Sequence, residues 1–451
     1  MTRSAHSLGA PTGRAESAYA WLRLLTAMLL GTIGGVGMWS FVVELPVVQA
    51  DLGVPRADAS LPYTTGMLGF AVGAVAIGRL VDRLGVIAPL VLSTLLLGSA
   101  YIGSAFAANI WQLALAHGCI GLGSSATFAP LIADISHWFK RRRGLAVSIC
   151  ATGSYLAGTL WPPIVNHFVA SDGWRHTQVG IGLFCLVSML PLITVLKPRI
   201  ALTEATTAGD GGDARSSLGL SPGVLQALIL VAGLACCVAM SMPQVHIVAY
   251  CGDLGYGVAR GAEMLSVMLG FGIISRVASG FIADRIGALA TMLLGSILQA
   301  SALLLYLWFD GLTSLYVISA FFGLVQGGII PMYAVIVRDF FAPQEAGTRV
   351  GLALMSTIVG MAFGGWLSGA IFDLTGSYAQ AFSNGIAWNL LNISIVGFLM
   401  LRQAGRRQIA AAPEAAALSP AGLAPPAPSG SALADLDRHG RSRGTLGAAE
   451  R

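Results

Sequence analysis

Long apolar runs separated by short polar gaps fill the chain from residue 22 to residue 401. Twelve of these runs reach the roughly 18 residues with which a helix, rising ~1.5 Å per residue, crosses ~30 Å of hydrocarbon. They span 22–48, 59–80, 86–107, 111–137, 144–168, 177–196, 223–250, 261–283, 288–309, 313–339, 349–372 and 379–401. Each is about twice the length that a barrel strand needs, and a segment in lipid must satisfy its own backbone hydrogen bonds. The pattern therefore predicts an all-α integral membrane protein with twelve transmembrane helices. Small residues spaced as in Gly66-x-x-Gly69-x-x-x-Gly73 fit close packing of helix on helix.

The polar gaps carry a second signal. GRLVDRLG at 78–85 returns as GFIADRIG at 280–287, 202 positions later. A repeat on that scale predicts two pseudo-symmetric six-helix bundles with a working site on the axis between them. The expected organisation is a tail over 1–21, a first bundle over 22–197, a linker over 198–222, a second bundle over 223–402 and a tail over 403–451. The linker has no apolar periodicity, and the last tail is rich in Ala, Pro, Gly and Ser, so disorder is expected there.

Composition agrees: 55% apolar and 10% charged residues with a mean hydropathy of +0.75 lie outside the soluble range. Arg and Lys are unevenly placed. Arg79, Arg83, Lys140 to Arg143, Lys197, Arg199, Arg215, Arg285, Arg338 and Arg349 share one side, against Arg56, Arg175 and Arg260 on the other. The positive-inside rule then puts both termini in the cytoplasm of a multi-pass cell-membrane protein. The net charge of +5 reads as topology, and no nucleic-acid partner is expected. The first 21 residues are polar, so no removable signal peptide is expected. The six cysteines sit in or beside apolar spans without metal-ligand spacing, and no metal or cofactor is expected. No phosphate-binding loop, H-E-x-x-H or nucleophile elbow occurs, which argues against an enzyme.

Twelve crossings, a central linker and G-x-x-x-D-R-x-G after the second and eighth crossings resemble the major facilitator superfamily over residues 21–402. Val86-Ile87-Ala88 departs from the basic run common in that family. WFKRRRGLAVSICATGSYLAG (138–158), with GLGSSATFAP (121–130) before it, is similar to a signature of the monocarboxylate and oxalate/formate transporter families. The acidic-Gly-Trp motif that opens many eukaryotic members is missing from Tyr19-Ala20-Trp21-Leu22. The resemblance implies a secondary active transporter working by alternating access.

Depth sorts the ionisable residues, because Arg at a helix centre costs about 2.5–3.5 kcal/mol on insertion scales. Arg276 alone is deep, ~6 Å past the middle of the eighth crossing. It reads either as a clamp for an anionic cargo or as a guanidinium bonded to backbone carbonyls. The resemblance favours the clamp, since Arg276 four residues before Gly280 matches the carboxylate-binding arginine of both related families. Where eukaryotic monocarboxylate transporters place an acid, this chain has Gly272. It also lacks a lysine near Val43, and the eleventh crossing (351–372) lacks a second cation. One deep positive charge suits one carboxylate.

Tyr155 and Trp161 on the fifth crossing, Gln326 and Tyr333 on the tenth, and Phe128 on the fourth are further substrate-contact candidates. Asp82, Arg83, Asp284 and Arg285 of the repeated motif, with Asp134, Arg142 and Arg143, are assigned to gating. The resemblance implies that Asp82 faces the start of the eleventh helix. Glu44, His117 and His246 lie ~12 Å or more toward the outer surface and are expected either in an outer vestibule or proton relay, or as ordinary hydrogen-bonded helix residues. The expected cargo is a small monocarboxylate, coupled to protons or to a counter-transported anion. A polyspecific exporter and an oxalate/formate-type exchanger are the alternatives. A membrane sensor would need an output domain, and linker and tail are both below domain size.

Overall fold

Helices account for the chain as the apolar pattern requires. The computed structural model describes residues 17–139, 142–196 and 218–418. Eleven helical stretches among them are long and apolar enough to cross a membrane, and the 30-residue helix Arg143–Asp172 stands between the fourth and the next. In order the crossings are Ala18–Leu52, Arg56–Val81, Ile87–Ser104, Ile110–Ser136, Arg143–Asp172, Trp174–Val195, Pro222–Asp253, Val258–Ile286, Ala288–Trp308, Leu312–Phe340, Gly347–Thr375 and Tyr378–Gly405.

An even number of crossings brings the first and last helix ends to one side, called here the terminal end; the opposite side is the distal end. Tyr19 Oη donates to the Val195 carbonyl at 2.8 Å, and Arg402 donates to the Leu218 carbonyl at 3.3 Å. These bonds tie the entry and exit of each bundle together at the terminal end.

The repeated motif ends its helices identically. Gly85 and Gly287 cap the second and eighth crossings at φ of 76° and 86°, a region that side chains with a Cβ avoid. Four crossings are interrupted. The first breaks at Gly35, the second at Ser60, the fourth at Ser125–Thr127 and the tenth between Gln326 and Ile329. At the tenth the break coincides with close packing, since a Cβ on Gly327 would collide with the Gly272 carbonyl oxygen of the eighth crossing. The breaks in the fourth and tenth crossings are themselves 202 positions apart. Broken backbone at mid-membrane depth is tolerated where it borders a protein cavity.

Two expectations are corrected. Asp134, assigned to gating, is bonded inside its own bundle: Arg23 Nε and Nη2 donate to its two carboxylate oxygens at 2.7 and 2.8 Å. Arg23 also donates to the Leu196 carbonyl and lies over Trp138, 4.9 Å from the ring centroid. The pair is 4% and 17% exposed, so it locks the first crossing to the fourth rather than moving between bundles. Arg23→Ala is expected to cost about 3 kcal/mol by stranding the carboxylate. A lowered thermal unfolding midpoint in detergent would show this, and an unchanged midpoint would show the pair to be idle.

The last helix also runs on through Leu418, where disorder was expected from residue 403. Its alanines, glutamines and arginines are good helix formers that an emphasis on Pro and Ser overlooked. The linker residues 198–217 and the tail beyond 418 lie outside the described residues.

Candidate substrate cavity

A cavity lies between the bundles, bordered by the first, second, fourth and fifth crossings on one side and the seventh, eighth, tenth and eleventh on the other. Its lining obeys the repeat. Met38 and Met240, Met67 and Leu269, Ala74 and Arg276, Phe128 and Ile330, and Tyr155 and Thr357 all line it, and each pair is 202 positions apart. The cavity thus sits on the pseudo-symmetry axis. Three pairs are apolar in both copies, whereas the Ala74/Arg276 and Tyr155/Thr357 pairs differ in chemistry.

Among the described residues, Arg276 is the only charged side chain lining the cavity. Its guanidinium carbon lies 4.5 Å from the centroid of the Tyr155 ring. Nη1 donates to the Ala151 carbonyl at 3.2 Å, across the bundle interface, and Nε donates to the Gly327 carbonyl at 3.5 Å. Both bonds are long for N–H···O contacts, and Nη2 makes none among the described residues. No described carboxylate forms an ion pair with it. Held by an aromatic face and two carbonyls, the guanidinium is positioned yet electrostatically uncompensated.

Gly272 makes this stack possible. A Cβ there would lie 2.5 Å from Tyr155 Cε1, so the ring occupies the space that any side chain at 272 would need. Gly272→Ala is expected to push Tyr155 off the guanidinium and lower transport about tenfold. Uptake normalised to folded protein measures this, and normal uptake by the variant would refute the positioning role.

The other expected cargo contacts fall elsewhere. Gln326 is buried one layer back, accepting from Gln244 Nε2, and Gln244 is the residue that lines the cavity. Tyr333 is buried inside the second bundle, its hydroxyl donating to Asn392 Oδ1 at 3.2 Å. Trp161 donates to the Thr32 carbonyl at 2.9 Å and lines a separate cleft with Phe168, Gly180 and Phe184 of the fifth and sixth crossings. Tyr155 and Phe128 do border the cavity.

Glu44, His117 and His246 line no vestibule, being buried in the bundle cores. Glu44 accepts from Gln178 Nε2, and Gln178 accepts from Ser104 at 2.8 Å. His117 Nδ1 pairs with the Leu113 carbonyl at 3.0 Å, and its ring meets Phe41 edge-on. His246 Nε2 pairs with the Gly365 carbonyl at 2.8 Å.

At the terminal end Arg83, Arg142, Asp284 and Arg285 are exposed, while the side chains of Asp82 and Arg143 lie outside the described residues. Gly78 and Gly280, which open the two motif copies, face open space within 4 Å. The distal end is different. Arg56, at the start of the second crossing, donates to Asp253 Oδ2 and Oδ1 at 3.0 and 3.3 Å, and also to Gln49 and the Tyr378 hydroxyl. Its cation lies over Phe372 at 4.7 Å. The backbone N–H groups of Arg56 and Ala57 donate to the two oxygens of Asp373 at 2.8 and 2.7 Å. The first turn of the second crossing is thereby bonded to the seventh, eleventh and twelfth crossings of the second bundle.

This latch is not legible in the sequence: Asp51 and Asp253 are repeat mates, yet Asp51 pairs with Arg175 of its own bundle and Asp253 with Arg56 of the other.

Two bundles, a repeat-lined axial cavity and the paired D-R-x-G turns define a membrane carrier of small molecules. The profile described as Major Facilitator Superfamily matches residues 27–314 and again 264–439, and the chain belongs to that family. It is a multi-pass transporter and not an enzyme. Monocarboxylate transporter 13 of Bos taurus is 26% identical over 375 residues, spanning 81% of this chain and 86% of that protein. The MFS-type transporter pynF of Aspergillus niger is 25% identical over 307 residues, spanning 67% and 69%. Among solved structures, a bacterial homolog of the human lysosomal transporter Spinster, in an inward-facing and occupied conformation, superposes with a TM-score of 0.61 at 15% identity. That match covers 86% of this chain and 96% of the other.

Proposed function

We propose that the protein carries a monocarboxylate across the membrane by alternating access, with Arg276 as the clamp for the carboxylate. One observation carries this reading: the only charge lining the axial cavity is a guanidinium with no carboxylate partner among the described residues. A planar donor fork fits a carboxylate, and a buried cation gains most from an anion brought to it. Likeness to a monocarboxylate transporter over most of both chains supports the class of cargo.

The Arg56 latch supports a conformation closed distally, and alternating access then leaves the terminal end as the open one. With the basic loops placed by the positive-inside rule, that end and both termini are cytoplasmic, and the described state faces the cytoplasm. Return to the outward-facing state would break the latch and close the terminal end, where the D-R-x-G turns stand ready as contacts. The coupling species is a proton or a counter-transported anion.

The cavity's apolar walls favour one rival, an exporter of neutral apolar metabolites on the same fold. Uptake into proteoliposomes of a labelled carboxylic acid and of its primary amide separates the two. The carboxylate reading expects uptake of the acid above protein-free vesicles and none of the amide. Equal handling of both would sink it.

A further inference from the structure

We infer that the cargo is an acid with one charge and a branched-chain or aromatic body, such as an arylacetate or a branched 2-oxo acid, rather than a short hydrophilic acid or a dicarboxylate. The inference rests on Arg276 being the carboxylate clamp and goes further by assigning the rest of the cavity. Its basis is where polarity falls relative to the repeat.

All of the chemical asymmetry of the repeat pairs lies at one place, where Arg276 from the second copy stands on Tyr155 from the first. The pairs Met38/Met240, Met67/Leu269 and Phe128/Ile330 surround the remaining space with apolar atoms from both bundles. The hydroxyls in the lining do not alter this. Ser125 donates to the Leu122 carbonyl at 2.7 Å, Ser154 to Ala151 at 3.1 Å and Thr357 to Leu354 at 2.7 Å. Their protons are committed to their own helices. The donors left in the lining are neutral: the Trp39 indole N–H, which has no hydrogen-bond partner among the described residues, the Tyr155 hydroxyl beside the clamp, and the one amide N–H of Gln244 not spent on Gln326.

A second carboxylate would therefore sit among thioethers and rings with no second cation and only isolated neutral donors, which is costly. A two- or three-carbon acid would engage the clamp and leave the walls to water, gaining little from them. An apolar body fills that space and gains roughly in proportion to the area it covers. Methionines on both sides let the wall adapt to flat or branched shapes and make favourable contacts with aromatic rings.

The test uses the full chain in proteoliposomes at pH 7.5, with protein-free vesicles subtracted. Labelled phenylacetate, 4-methyl-2-oxopentanoate, acetate, lactate, oxalate and phenylacetamide are compared for wild type, Arg276→Ala and the wall variant Met67→Asn. The expected result is uptake of the two apolar acids at least about tenfold above acetate, lactate and oxalate. That uptake is lost in Arg276→Ala, and in Met67→Asn the preference for apolar over short acids falls. Uptake that needs Arg276 but is as fast for acetate, lactate or oxalate would overturn this inference and leave the clamp standing. Uptake of phenylacetate and phenylacetamide alike, indifferent to Arg276→Ala, would overturn the clamp and the inference with it. Because selectivity is a ratio within one variant, partial misfolding of Met67→Asn does not blur the outcome.

Discussion

Arg276→Ala is expected to reduce carboxylate transport by about 10- to 150-fold, while the protein folds and inserts normally. The range follows from the ~1.5–3 kcal/mol that a hydrogen bond to a charged group contributes, converted at about 1.4 kcal/mol per tenfold. Folding is spared because the guanidinium's own bonds are two long contacts to carbonyls that the alanine variant leaves facing a cavity. Arg276→Lys is expected to recover only part of the loss. A lysine keeps the charge but cannot present the planar fork or stack flat on Tyr155, whose ring centroid is 4.5 Å from the guanidinium carbon. Initial uptake rates, normalised to folded protein by size exclusion, measure both effects. Full activity of the alanine variant would remove Arg276 from cargo binding.

Arg56→Ala is expected to open the distal end. The substitution removes four side-chain hydrogen bonds and a cation stacked on Phe372, all joining or bracing the two bundles. Arg56 is buried but Asp253 is 39% exposed, so the loss is set near the lower end of the range for such pairs, about 2 kcal/mol. That shifts the balance between distally closed and distally open states by roughly 30-fold. Spin labels at Asp58 and Ala379, on opposite sides of the latch, would read it as growth of a longer-distance population in pulsed electron resonance. Cargo uptake would fall as well, since a carrier biased to one face completes fewer cycles. If the distance distribution does not move, the latch does not hold the distal end shut.

How far the sequence discloses this machine depends on which coordinate a residue's role requires. Crossing number and the repeat follow from one-dimensional patterns, and Arg276 emerges because a lone charge is costly at mid-depth whatever its neighbours are. Rotation about a helix is less accessible. Trp161 is on the expected fifth crossing, but six residues after Tyr155 amount to ~600° of helix, which turns it about 120° away from the cavity. Gln326 precedes the break that Gly327 and Gly328 put in the tenth crossing, so regular spacing from Ile330 misplaces it. Depth alone likewise left Glu44 and the histidines open between an outer vestibule and ordinary hydrogen-bonded helix positions, and the structure places them in the latter. Their burial depends on partners such as Gln178, 134 positions away. The Arg56–Asp253 pairing spans 197 positions and leaves no local trace.

The repeat spacing offered a route to the cavity that stepping along single helices did not. Projected forward by 202, Met67, Ala74, Phe128 and Tyr155 of the second, fourth and fifth crossings reach lining residues of the other bundle. The pairs whose chemistry differs then mark the polar end of the site.

A structure of the protein bound to 4-iodophenylacetate measures the site itself, since anomalous scattering fixes the iodine and the map fixes the carboxylate. The carboxylate is expected ~3 Å from the Arg276 guanidinium nitrogens, with the ring against Met67, Phe128 and Ile330. A carboxylate bound away from Arg276, for example at the distal Arg56, would contradict the assignment.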